Sequence, residues 1–236
     1  MQLSYCARVV RDHDYDRYLC TLFAPARVRE AWFTLFAFNH EIAVIAEMVS
    51  EEMIGLMRFA WWREALDKIY TGNPVHSHPV AEALAQVIHA HRLPRAPFDA
   101  MLAARTFDLQ QEQFATFAEL ESYCRDTSAA LLQLCSIAAN MPVTPSLDDL
   151  GIAWALIGMA RLQSRNDTVS TAELISAAER HLQAARLQRH KLLRAFAPFL
   201  DACEFYLKRL RSNKENRHPH SGRLRLILTL WLKGLI

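Results

Sequence analysis

Four glutamates, Glu41, Glu47, Glu51 and Glu52, fall within residues 41–52, inside a longer stretch dominated by aromatic and aliphatic side chains. Clustered carboxylates can hold a hard divalent cation such as Mg²⁺, and the cation can grip a phosphate. Glu47 and Glu51 are four residues apart and would share a face if one helix ran through both. Ser50, however, offers an N-cap between them, and Glu41 lies six residues before Glu47 and points elsewhere. The set therefore reads as solvated or helix-start acids, with Glu51 and Glu52 at the positive end of the following helix. A substitute metal cluster is the alternative. Among the cations, Arg58 suits either an anionic headgroup or diphosphate, if it faces inward, or a salt-bridged surface. Trp62 and Arg63 read as core packing plus an ion pair, with a ligand-facing role as the other option. His76 and His78, like His89 and His91, are two apart, which on a helix separates the side chains by roughly 200°. Neither pair makes a good metal clamp. Asp108 reads as structural.

These residues need elements to position them. Two helices over residues 25–48 and 51–70 carry apolar stripes at helical spacing. The first has Trp32, Phe33, Phe36, Phe38, Ile42 and Ile45; the second has Met53, Leu56, Met57, Trp61, Leu66 and Ile69. The expectation is that the two walls face each other across a cavity. A helix over residues 4–22 precedes them, with Tyr5, Val9, Tyr18, Leu19 and Leu22 as its core side. Downstream, capping boxes at Thr116–Glu119 and Ser170–Glu173 start long helices, and Ser146 to Asp149 starts another by the same logic. Pro198 opens a further helix, and residues 224–236 form a short last one. No strand signal and no repeat is visible. The reading is one all-α domain over residues 1–236.

Composition sets the bounds. A chain of 236 residues with 52% hydrophobic and 22% charged side chains can bury a substantial core. A net charge of +2 is too mild to argue for nucleic acid. Five scattered cysteines without a C-x-x-C pair suit reduced thiols in a cytosol-like compartment. The first residues have no basic-then-apolar signal pattern, and Asp12, Asp14 and Asp16 argue against a transit peptide. Nothing is long and apolar enough to span a bilayer. The expected location is cytoplasmic, of bacterial type, with peripheral contact at the inner membrane as an option.

AWFTLFAFNHEIA (residues 31–43), SEEMIGLMRFAWWREALDKIYTG (50–72) and HPVAEAL (78–84) resemble the squalene/phytoene synthase family. That resemblance implies an all-helical isoprenoid-synthase bundle around a central cavity. In active members, two acidic segments hold Mg²⁺ against a diphosphate leaving group. The first segment has an acidic pair, two spacers and a third acid; here the positions read Ala43, Val44, Ile45, Ala46 and Glu47. At the second, Arg161 matches the family arginine, but the acid after it is Leu162, and Asp167 is a weak stand-in. The connection after about residue 165 is shorter than is usual in the family. FAFNHEIA and SEEMIGLMR closely resemble the non-catalytic branch that includes the respiratory complex I assembly factor and its bacterial relatives. FATFAELESYCRDTSAALLQL (114–134) extends that match. The resemblance implies a degenerate binding or assembly factor with no catalytic residue and no cofactor. Its partners would be respiratory-complex subunits or a prenyl lipid. The remnant-cavity candidates are Phe38, Glu41, Glu47, Arg58, Trp62, Arg63 and Arg161. The rival is a Mg²⁺-dependent prenyl-diphosphate transferase whose ligands have moved to Glu41, Glu47, Glu51 and Asp167. A third option is a shortened chain whose open cavity does nothing.

The last thirty residues hold many basic side chains against one acid, Glu215. With Arg223, Arg225 and Lys233 flanking an apolar run that contains Trp231, they read as a membrane-surface helix. Closure of the domain core is the competing reading.

Overall fold

We describe the protein from a computed structural model, which covers residues 3–76, 78–110, 113–162, 169–187 and 194–212. Among the described residues the chain is helical throughout, with no strand. The helices are α1 (Tyr5–His13), α2 (Tyr15–Leu22), α3 (Ala26–Ala43), α4 (Ile45–Met48), α5 (Glu52–Tyr70) and α6 (Pro79–His91). They continue as α7 (Ala96–Phe107), α8 (Phe117–Cys124), α9 (Ala130–Ala138), α10 (Pro145–Arg161), α11 (Thr171–Leu187) and α12 (Ala197–Arg211). A five-residue π segment, Arg125–Ala129, joins α8 to α9.

The expected first helix is divided. Asp14 caps α2, its Oδ1 accepting from the Arg17 N–H at 3.2 Å, so the side chain competes with the helical backbone and splits the run. Its buried side is also rotated from the expected one: Cys6, Ala7, Val10, Leu19 and Cys20 are buried, while Tyr5 and Leu22 are exposed. The second expected helix breaks at Val44, where β-branched Val44 and Ile45 are adjacent. Glu51, not Ser50, precedes the first turn of α5, and it makes no side-chain cap.

The capping boxes hold. Thr116 Oγ1 accepts from the Glu119 N–H at 3.2 Å, and Ser170 Oγ accepts from the Glu173 N–H at 3.2 Å. At the second box Glu173 also accepts from the Ser170 N–H at 2.8 Å. The expected long helix from the first box is α8, the π segment and α9 in continuous succession.

α3 is the central rod, packed on α1, α6 and α9, while α10 and α11 form a closely packed pair. All six apolar residues of the α3–α4 stripe are buried. The α5 stripe is not all inward. Gly55, Phe59, Trp62, Leu66 and Ile69 are buried at three- and four-residue spacing, which puts Met53, Met57 and Trp61 on the opposite, solvent side. Those three side chains do not face α3 across a shared cavity.

Candidate functional site

The end of α3 carries the expected first segment. Ala43 and Val44 are half-buried, Ile45 is buried, and Glu47 is exposed. Because the chain turns out of helix at Val49, Glu47 on α4 and Glu51, just before α5, do not share one helix face. Glu41 is half-buried, with its Oε2 3.6 Å from His78 Nε2. That imidazole holds the Glu41 carboxyl below the usual carboxylate range. His78 in turn lies against Trp61 and Trp62, with ring centres at 5.3 and 5.2 Å. On the other side of α3, His40 stacks on His13 at 4.3 Å. Burial, and then the second imidazole, push His40 below the ordinary histidine value.

Phe38 is fully buried, edge-on to Trp62 at 5.1 Å and to Phe98 at 5.4 Å. Arg63 donates to Thr106 Oγ1 at 3.0 Å, which ties α5 to α7. Arg58 is exposed. The structure thus brings together Phe38, Trp62 and, beside them, Glu41, but leaves Glu47 and Arg58 at the surface.

Arg161, from the expected second segment, lies at the end of α10 and meets α2 and α12. Its Nη1 is 2.9 Å from Asp16 Oδ2, and its guanidinium lies 3.7 Å over the Tyr206 ring. Tyr206 donates its hydroxyl to the other oxygen of Asp16 at 2.7 Å. Leu162, where the family resemblance places an acid, is 84% exposed. Next to Asp16 on α2, Arg17 pairs with Asp14 at 2.5 Å and donates to Ser128 of the π segment at 3.3 Å. Its guanidinium lies over Phe36 at 5.6 Å and Trp154 at 5.3 Å. Phe36 continues into an aromatic group with Trp32, Phe196 and Phe199, in which Trp32 donates its indole N–H to the Cys135 carbonyl at 2.8 Å. Asp14, Asp16, Arg17 and Tyr206 were not among the sequence candidates. The D-x-D-R run at the start of α2 was the available signal.

Two further polar clusters are structural ties. Asp108 accepts from Arg105 at 3.1 Å and from Tyr123 at 2.9 Å. His181 joins α11 to Asp149 at 2.8 Å and Glu121 at 3.1 Å. Among the described residues no three His, Cys, Asp or Glu side chains converge as metal ligands. At the first segment the donors do not fit a Mg²⁺–diphosphate cluster: four consecutive aliphatic side chains offer no oxygen, and the remaining glutamate faces solvent. Asp167, Arg223, Arg225, Trp231 and Lys233 lie outside the described residues.

The architecture is the all-helical fold of the squalene/phytoene synthase-like isoprenoid synthases. It superposes on squalene synthase HpnC from Alicyclobacillus acidocaldarius with a TM-score of 0.74 at 16% identity, covering 90% of this chain and 94% of that one. A dehydrosqualene synthase gives 0.69 at 17% identity, covering 97% and 95%. The squalene/phytoene synthase pattern matches residues 10–168, and the chain belongs to that family. Among curated proteins it is similar to NADH dehydrogenase (ubiquinone) complex I, assembly factor 6. Identity is 39% over 130 residues with the Bos taurus protein and 38% with that of Homo sapiens. Each match covers 55% of this chain but only 39% of the relative. A phytoene synthase from Arthrospira platensis is 26% identical over 149 residues, covering 63% of this chain and 46% of that protein.

Proposed function

We propose that this chain is a catalytically degenerate member of its family that acts as a binding or assembly factor in respiratory complex I biogenesis. The observation that carries the reading is the first acidic segment. Its helix and its buried aromatic neighbours are in place, yet its carboxylate positions are Ala43 and Val44, and Glu47 is turned to solvent. The engagement of Arg161 by Asp16 and Tyr206 supports it, because that cation is already neutralised from within. Similarity to assembly factor 6 supplies the direction of the role. The partner is a complex I subunit or a prenyl lipid, met in a bacterial cytoplasm or at the inner membrane surface. Among the described residues no helix is long and apolar enough to cross a membrane.

The test combines two measurements. Purified chain is incubated with farnesyl diphosphate with and without Mg²⁺, and products are analysed; no condensed product is expected. In cells deleted for the gene, assembled complex I falls on native gels and returns with the intact chain. Mg²⁺-dependent product overturns the degenerate reading. Similarity to a phytoene synthase favours the alternative, a prenyl-diphosphate transferase with displaced ligands. Alanine at Glu41, Glu47, Glu51 and Asp167 together would then abolish the activity.

A further inference from the structure

α5 is apolar on two opposite sides. Its inner side packs into the domain through Phe59, Trp62, Leu66 and Ile69. Its outer side, over the first three turns, presents Met53 at 65% exposure, Ile54 at 42%, Met57 at 66% and Trp61 at 37%. Met48 of α4, at 64%, precedes them. A helix that is apolar all round is normally covered all round, and a contiguous apolar surface marks an interaction site where scattered residues do not. Methionine suits such a surface, because its unbranched, polarisable side chain adapts to the groups it meets.

Two features say what covers this face. Beside Trp61 the surface sinks into a notch of about 100 Å³, lined by Ala65, Pro74 and Val75 together with the polar side chains of Glu64, Lys68 and His76. That is room for one bulky side chain. The start of the face is acidic: Glu47, Glu51 and Glu52 are all exposed, and none forms an ion pair among the described residues. Farther along, Lys68 is neutralised by Glu64 at 2.8 Å, and Arg58 on the flank is the remaining cation of the face. An anionic bilayer would meet three uncompensated carboxylates here, whereas a basic segment would be attracted.

We propose that this methionine-rich face of α4 and α5 docks an amphipathic helix of a partner protein. The partner's apolar side lies on Met53, Met57 and Trp61, one side chain enters the notch beside Trp61, and its Lys or Arg residues stand over Glu47, Glu51 and Glu52. From Met53 to Ala65 the face is about 18 Å long at 1.5 Å per residue, which sets the partner at three to four turns. This is helix-in-groove recognition, with anchors at helical spacing. It uses only the outer side of α5 and stands whether or not the chain is an assembly factor.

The experiment uses the full chain. A fluorescent synthetic peptide of leucine and lysine, with leucines at i, i+3, i+4 and i+7, is titrated with the protein and followed by anisotropy. Saturable binding is expected, and Met53→Asp or Met57→Asp weakens it by about tenfold or more, as for an interface centre. The pair Glu51→Lys and Glu52→Lys weakens it and flattens its salt dependence, while a leucine–glutamate peptide fails to bind. All four positions are exposed, so the far-UV spectrum stays that of the parent, and only the charge-reversed pair lowers the melting midpoint, by a few degrees, because it removes two acids from the positive end of α5. No saturable binding, or binding that the methionine substitutions leave unchanged, overturns the proposal. So does binding to phosphatidylglycerol vesicles that the same substitutions abolish, since the face would then be a membrane surface.

Discussion

Gly151 and Gly158 lie on the same helix, α10, and the same substitution should act on them with opposite sign. A Cβ built on Gly151 falls 2.4 Å from Ala129 Cα, 2.7 Å from its N and 2.8 Å from its Cβ. The obstacle is backbone of the π segment, which cannot rotate aside as a side-chain tip would. Gly151→Ala must therefore drive α10 away by about 1 Å before ordinary contact is restored. Overpacking of this kind costs about 1–3 kcal/mol, offset in part by the ~1 kcal/mol that alanine gains over glycine in a helix interior. At Gly158 an added Cβ meets nothing within 4 Å, so only the propensity gain remains. For a chain of this size, each kcal/mol moves the midpoint by about 2–4 °C. Calorimetric melting should show Gly158→Ala unchanged or raised by about 2–4 °C, and Gly151→Ala lowered by up to about 8 °C. The retreat of α10 also pulls Arg161 from Asp16, now 2.9 Å away, so the loss should be smaller in an Asp16→Asn background. A Gly151→Ala protein that melts above the parent would refute the close-approach argument. So would equal losses at both glycines.

Three more outcomes follow from particular contacts. Tyr206→Phe removes the hydroxyl that Asp16 accepts at 2.7 Å; a hydrogen bond to a charged group at a part-buried site makes this worth about 1–2 kcal/mol in urea unfolding, and a change within error would mean that solvent replaces it. Stability should fall on acidification in two stages. His40 is depressed in the folded state, so the unfolded chain takes up the proton first, and stability declines as pH drops below the free histidine value of about 6.5. Glu41 is also depressed, so its contribution, present above the free glutamate value, is lost as pH falls through the lower folded value. His40→Gln should flatten the first stage and leave the second; an unchanged profile would reject the assignment. All five cysteines are buried, and burial pushes Cys6 up to about 11 and Cys124 up to about 12, with Cys20, Cys135 and Cys203 also raised. At pH 8, iodoacetamide should label the native protein slowly and the urea-unfolded protein at every thiol; rapid native labelling would contradict the burial.

The sequence signals that proved legible were those with a local cause. Capping boxes at Thr116 and Ser170 work within four residues, and the α3 stripe from Trp32 to Ile45 is long enough to fix one buried side. What misled was periodicity shared by two sides of one helix. On α5, Phe59, Trp62, Leu66 and Ile69 repeat at three and four, and Met53, Met57 and Trp61 repeat at four. A hydropathy pattern cannot choose between them, because the choice depends on what α3 and α7 present to the helix. The same limit applies to the interior charges. Arg161 could be found by its place in a motif, but its partners Asp16 and Tyr206 stand 145 and 45 residues away in sequence, on α2 and α12. Asp14 and Asp16 looked like generic acids on an opening helix. Their roles as cap, as Arg17's partner and as Arg161's partner arise only when the split at Asp14 turns α2 toward α10 and α12. An acid–arginine–tyrosine cluster of this kind explains how a part-buried arginine is held where α2, α10 and α12 meet: the fold itself supplies the anion that the cation needs.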